Sequence, residues 1–130
     1  MADTVGASVI GWVAAGGAIG SAARYLLAGL VHRYTSAFFP YGTFAVNTLG
    51  CLLFGVIFGL TEQRFAISPA VRAFLLIGVL GGFTTFSSYA FESFQLMRDA
   101  QYLRASVNVA GQVVLGLVSF WLGYQVNRLI

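Results

Sequence analysis

Two adjacent glycines and two adjacent threonines interrupt an apolar run in Gly78-Val79-Leu80-Gly81-Gly82-Phe83-Thr84-Thr85-Phe86-Ser87-Ser88-Tyr89. Glycine loses the most backbone entropy in a helix, and threonine is restricted there by its branched Cβ. The segment therefore predicts a membrane helix broken at Gly81-Gly82. A broken helix survives in a bilayer only where protein buries it or a cavity adjoins it, because something must satisfy the freed carbonyls. A cation held by backbone oxygens is one such partner. Beyond the break, Phe86 and Tyr89 fall one turn apart, and Thr85, Ser88 and Glu92 lie on a neighbouring hydroxyl-bearing face. The two rings read either as packing or as part of a site that uses their electropositive edges.

Three other polar features sit in apolar surroundings. Thr43 and Asn47 are spaced i, i+4 and share a helix face. An amide in hydrocarbon needs a partner, so Asn47 either bonds two helices together or turns its NH₂ donors to a ligand. Asn108, Gln112 and Ser119 fall within about 40° of one another at 100° per residue, a polar stripe on an apolar helix. That stripe reads as interhelical hydrogen bonding or as the wall of a narrow passage. Arg24 continues the face of Gly16 and Gly20 near the end of the first span. It is either an arginine snorkelling to the interface or a positive charge at the mouth of an anion route.

The missing residue types narrow the chemistry. The spans hold no carboxylate pair, no Ser–His–Asp set and no Cys/His cluster. The single histidine, His32, is expected in a loop, and the four acids at or outside the span ends. Proton-coupled transport calls for a deep carboxylate or histidine, and a membrane enzyme for a nucleophile, base or metal. Amide NH₂ groups, hydroxyls, ring edges and one arginine remain. Such a lining suits an anion that must shed water without being trapped by a strong fixed charge, which is a passive, anion-preferring pathway rather than an enzyme.

The elements that must position these groups are four stretches without a charge: Thr4–Ala23, Tyr34–Thr61, Ala73–Phe91 and Ala105–Asn127. Each approximates the ~20 residues that cross a ~30 Å hydrocarbon core as a helix. Composition agrees, with 58% hydrophobic and 8% charged residues and a mean hydropathy of +0.84. Four such spans fill most of the 130 residues, so the fold class is an all-α membrane protein forming one four-helix transmembrane domain over 1–130. The first stretch lacks a basic leader and reads as a retained helix rather than a signal peptide. Gly16/Gly20 and Gly55/Gly59 have the small-xxx-small spacing of close helix packing. Cys51, the only cysteine, is expected to pack as a small apolar residue.

All seven cations are arginines, scattered at positions 24, 33, 64, 72, 98, 104 and 128. They form neither a patch nor a basic helix, which argues against nucleic acid. Four spans put both termini on one side with Arg64, Arg72 and Arg128, and leave Arg33, Arg98 and Arg104 on the other. The positive-inside bias is near zero. Short loops give noisy counts, but balance also suits a chain that inserts both ways and pairs antiparallel with itself. The expectation is a dual-topology homodimer.

Gly16-Gly17…Gly20…Arg24-Tyr25, Gly42-Thr43…Asn47…Gly50 and Gly81-Gly82-Phe83-Thr84-Thr85-Phe86-Ser87-Ser88 running on to Glu92 resemble the small fluoride channels called Fluc or CrcB, in order and over nearly the whole chain. The resemblance implies antiparallel dimers in a bacterial inner membrane, with two pores that export toxic cytoplasmic fluoride passively. It implies a structural sodium ion at the dimer interface, held by backbone carbonyls of Gly81 and Thr84 from each subunit. It further implies that Asn47 donates to fluoride, Phe86 offers its ring edge, and Ser87 and Ser88 extend a polar track. Arg24 would sit near a vestibule and Glu92 would close the hydroxyl face. Tyr89 stands where many members have a second phenylalanine, adding a phenolic donor. Thr85, Asn108 and Gln112 complete the expected fluoride pathway, the last two, on the Ala105–Asn127 stretch, matching only loosely. Two other classes compete: a proton-coupled small multidrug-type exporter, which would need a carboxylate in helix 1, and a non-conducting assembly subunit whose polar stripes serve packing alone.

Overall fold

A computed structural model describes residues 6–130; Asp3 and the start of the first uncharged stretch at Thr4 lie outside the described residues. Four helical spans are present: Ala7–Tyr34, Tyr41–Gln63, Pro69–Arg98 and Tyr102–Val126, each long and apolar enough to cross a membrane. Helix α1 is Ala7–Tyr34 and α2 is Tyr41–Gln63. The third span is composite. It starts with α3 (Pro69–Arg72), widens into a π-helical stretch over Ala73–Leu80, tightens into α4 (Gly81–Phe83), and resumes as α5 (Phe86–Arg98). Helix α6 covers Tyr102–Val126.

Local sequence explains the joints. Pro69 occupies the first turn of α3, and the Ser68 hydroxyl accepts the Val71 N–H at 3.2 Å, a proline start with a serine cap. Between α5 and α6 the chain reverses at Ala100, whose φ is 57°. The Gln101 N–H closes that turn on Leu96 O at 2.8 Å.

Glycines let the helices meet backbone to backbone. A Cβ on Gly16 would lie 2.9 Å from Val79 N, and one on Gly20 would fall on the Val79 carbonyl. Gly82 lies so close to α1 that its Cβ would sit 2.7 Å from Gly17 O. On the other side of the protein, Gly55 faces the Phe120 carbonyl and Gly59 faces Asn127. Both small-xxx-small pairs therefore serve close packing, α1 against the third span and α2 against α6.

The structure corrects four expectations. The third span is interrupted, but not at Gly81-Gly82: those residues complete a helical turn, and the chain leaves the helix at Thr84 (ψ 158°) and Thr85 (φ −148°, ψ 117°). Gly82 is needed for contact with α1, while the threonines take the extended geometry that β-branched residues favour. Arg24 is not near a helix end, because the apolar run after it carries α1 on to Tyr34. For the same reason His32 lies in the last turn of α1, not in a loop. Glu92 is inside the third span, which continues past the uncharged stretch to Arg98.

Candidate functional site

The interruption at Thr84–Thr85 is held by a side chain from α2. Asn47 Oδ1 accepts the Thr85 N–H at 2.8 Å, and Asn47 Nδ2 donates to Thr85 O at 3.0 Å. The amide thus treats Thr85 as one strand treats another, satisfying both backbone groups of that residue. Thr85 in turn caps α5: its hydroxyl accepts the Ser88 N–H at 3.2 Å and lies 3.1 Å from Ser88 Oγ and 3.3 Å from Ser87 Oγ. Thr84 bonds backwards, its N–H and hydroxyl both donating to Leu80 O.

These bonds leave carbonyls short. In an unbroken helix, Gly81 O would accept from the Thr85 N–H and Thr84 O from the Ser88 N–H. Both donors are spent elsewhere, on Asn47 Oδ1 and on Thr85 Oγ1. Gly82 O and Phe83 O lose the Phe86 and Ser87 N–H groups in the same way, so Gly81 and Thr84 are the first and last of four consecutive carbonyls freed by the break.

From Asn47 a directed chain of hydrogen bonds runs through the protein. Asn47 Nδ2 donates to Gln112 Oε1 at 2.7 Å, Gln112 Nε2 to Asn108 Oδ1 at 2.9 Å, Asn108 Nδ2 to Ser93 Oγ at 2.9 Å, and Ser93 Oγ to Tyr89 O at 2.7 Å. Backbone groups fix its sense at both ends, since the Thr85 N–H can only donate and Tyr89 O can only accept. The chain leaves α5 at Ser93, crosses α6 and α2, and returns to the start of α5. Asn108 is completely buried and Gln112 nearly so. Ser93 is the member that sequence reasoning missed. Its signal was the four-residue step Thr85, Tyr89, Ser93 along one face of α5.

Two cavities adjoin this frame. One of about 370 Å³ is lined by Asn47, Thr84, Thr85, Phe86, Tyr89 and Gln112, among apolar neighbours that include Cys51. The other, about 400 Å³, lies between α1, α2 and α5 and takes in Arg24, His32, Thr43, Thr85, Ser88 and Glu92. Thr85 lines both. In the second cavity Thr43 donates to Glu92 Oε1 at 2.7 Å, while Glu92 Oε2 is buried with no hydrogen-bond partner among the described residues. Phe86 and Tyr89 stack at 5.5 Å between ring centroids, tilted by 46°. Phe86 is 78% exposed, so its ring faces outward from this chain. The Tyr89 hydroxyl donates to Val109 O at 3.1 Å and is spent on α6.

The structure thus gathers Asn47, Thr85, Phe86, Tyr89 and Gln112 at one cavity and Thr85, Ser88, Arg24 and Glu92 at the other. Ser87 is exposed beside them and lines neither, and Asn108 is sealed behind Gln112. What emerges is a four-span helical membrane protein with neutral hydrogen-bond donors collected at a broken third span. The family description "CrcB-like protein, Camphor Resistance (CrcB)" matches residues 11–124. The chain is 46% identical over 121 residues to the fluoride-specific ion channel FluC of Nitrosococcus oceani, covering 93% of this chain and 97% of the relative. It is 50% identical over 114 residues to the protein of the same name from Nitratidesulfovibrio vulgaris, covering 88% and 92%. A third, from Maridesulfovibrio salexigens, is 44% identical over 119 residues, covering 92% and 94%. The chain belongs to the CrcB family.

Proposed function

We propose that this chain is a fluoride-selective channel of the membrane, conducting the ion passively out of the cytoplasm. The carrying observation is the convergence on Thr85 of two cavities: one whose polar groups are all neutral, Asn47 and Gln112 among them, and one where the Thr43, Thr85 and Ser88 hydroxyls stand with Arg24, His32 and Glu92. Fluoride is small and strongly hydrated, so it enters only where donors replace its water. Amides and hydroxyls do this without the tight hold of a fixed cation. The rings of Phe86 and Tyr89 add positive edges along the first cavity. Arg24, midway along α1, raises the local anion concentration in the second. The relatives named as fluoride-specific channels support the same reading at 44–50% identity.

The conducting unit of this reading is an antiparallel homodimer with two pores. Phe86 presents its ring away from its own chain, so the wall opposite Asn47 is completed by a second copy. In this reading a sodium ion is held by the carbonyls of Gly81 and Thr84, which are among the four that lack their helical donors at the break. It would supply structural charge at the meeting of the two breaks, and these residues would hold it. The proton-coupled exporter reading is disfavoured because α1, Ala7–Tyr34, contains no acid.

The test is efflux from liposomes holding the purified protein, with valinomycin releasing the countercharge and chloride as the parallel ion. Rapid fluoride loss without chloride loss is the expected result. A folded dimer that releases neither ion would overturn the proposal.

A further inference from the structure

Asn47 has two side-chain N–H groups, and both are taken. One donates to Thr85 O at 3.0 Å and the other to Gln112 Oε1 at 2.7 Å. An anion in the first cavity can reach this amide only by displacing an acceptor. The Thr85 contact is one half of a reciprocal pair across the backbone break, and losing it would loosen the N-terminus of α5. The Gln112 contact is a single bond to a side chain that itself borders the cavity. Gln112 is therefore the acceptor that gives way.

We propose that the Gln112 side-chain carbonyl is a built-in competitor for the anion, occupying the Asn47 donor between passages and returning to help each ion leave. The inference rests on the fluoride-channel reading and deepens it. Gln112 does not wander when displaced, because its NH₂ is tethered to Asn108 Oδ1 at 2.9 Å, and Asn108 is anchored on Ser93 at 2.9 Å. A buried amide N–H with no acceptor is costly. A surrogate acceptor keeps the empty pathway satisfied, and it weakens ion binding by the free energy of the bond the ion must replace. This answers the requirement that a pore bind its ion strongly enough to admit it and weakly enough to let it go. Ser93 and Asn108 are positioning residues in this scheme, holding the carbonyl in register without touching the ion.

The test uses the full chain in liposomes, with fluoride flux measured against fluoride concentration. Gln112→Met keeps the length of the side chain but removes the competing oxygen. It should lower the half-saturating fluoride concentration by about two- to tenfold, the range set by one neutral hydrogen bond, and slow maximal flux. A damaged fold would weaken binding, so a gain in affinity separates competition from a packing role. A folded variant with unchanged or raised half-saturation would overturn the inference. Should Gln112→Met not fold, Gln112→Asn, which retracts the carbonyl by one methylene, is judged by the same criterion. A fluoride titration of the wild-type protein by solid-state NMR decides without any variant: the Gln112 side-chain carbonyl signal should move, and a stationary signal would sink the idea. If the wild-type protein shows no fluoride flux, the channel reading itself fails instead.

Discussion

Asn47 grips Thr85 by both its N–H and its C=O, at 2.8 and 3.0 Å, so one side chain from α2 closes the break in the third span. Of the two alternatives posed by the sequence, the bond between helices is the one made in this structure; donation to an ion belongs to the channel proposal. Asn47→Ala would leave the buried Thr85 N–H and C=O and the Gln112 carbonyl without partners, at a cost of about 1–3 kcal/mol for each group left unsatisfied. Thermal unfolding in detergent should show a clear loss of stability, and liposome efflux should show fluoride flux reduced at least tenfold (order of magnitude). Asn47→Asp retains the acceptor for Thr85 N–H but loses both donors. It should recover part of the stability and none of the flux; full flux in Asn47→Asp would remove donation by this residue from the mechanism.

The sequence disclosed the number of spans, because charge-free runs of membrane length have few other uses. It also disclosed which residue types crowd the third span. What it hid follows from three-dimensional packing. Gly82 looked like a helix breaker but is a contact surface for Gly17, and that contact depends on which helix lies opposite. Arg24 and Glu92 looked terminal because charges are usually pushed to span ends, yet α1 runs on to Tyr34 and the third span to Arg98. Ser93 shares the Thr85–Tyr89 face by its four-residue step, but only the bond from Asn108 gives that position its role. The polar stripe of α6 was legible, but its direction was not. That direction is imposed by backbone groups of α5 far away in sequence.

Phe86 and Tyr89 form a ring pair with different commitments. Phe86 is 78% exposed and contributes little to the stability of its own chain. Phe86→Ile should therefore leave folding intact while reducing fluoride efflux, since the aliphatic replacement has no positive ring edge. Unchanged efflux would take Phe86 out of the path.

Tyr89 differs because its hydroxyl is already donated to Val109 O at 3.1 Å. Tyr89→Phe keeps the ring and removes a bond worth about 1 kcal/mol. Fluoride flux and its preference over chloride should stay within about a factor of two (about 0.4 kcal/mol), with a small loss in thermal stability. A marked change in selectivity would show that the phenolic donor, not only the ring, meets the ion.

The glycines of α1 permit an internally controlled experiment. A Cβ at Gly20 would fall on the Val79 carbonyl and sit 2.8 Å from Phe83 N, whereas one at Gly29 meets nothing within 4 Å. Gly20→Ala should force α1 off the third span, costing about 1–3 kcal/mol or more and lowering the yield of folded protein. Gly29→Ala should be neutral or stabilising by up to ~1 kcal/mol, because alanine is the better helix former. Equal effects in the two variants would mean that the close approach of α1 to Val79 is not a determinant of the fold.

Insertion in both orientations is the prediction on which the antiparallel assembly depends. The helix ends divide the arginines evenly: Arg33, Arg98 and Arg104 lie at one end of the bundle and Arg64, Arg72 and Arg128 at the other. Arg24 does not tip the balance from within α1. Several of these charges are already occupied, Arg64 donating to Asn127 O at 3.1 Å and Arg104 lying 5.4 Å from the Phe38 ring centroid. Neither end thus dominates the positive-inside bias. Fusions of a cytoplasm-active and a periplasm-active reporter to the C-terminus should both give signal in the same cells. Adding two lysines to the Arg64–Arg72 connection should drive that end to the cytoplasm and silence the periplasmic reporter. Antiparallel pairing would then lack one of its orientations, and fluoride flux should fall with it. Flux should return when the biased chain is coexpressed with a copy biased the other way by lysines beside Arg104. Full flux from a chain held in one orientation would end the antiparallel reading while leaving the site at Asn47 and Thr85 untouched.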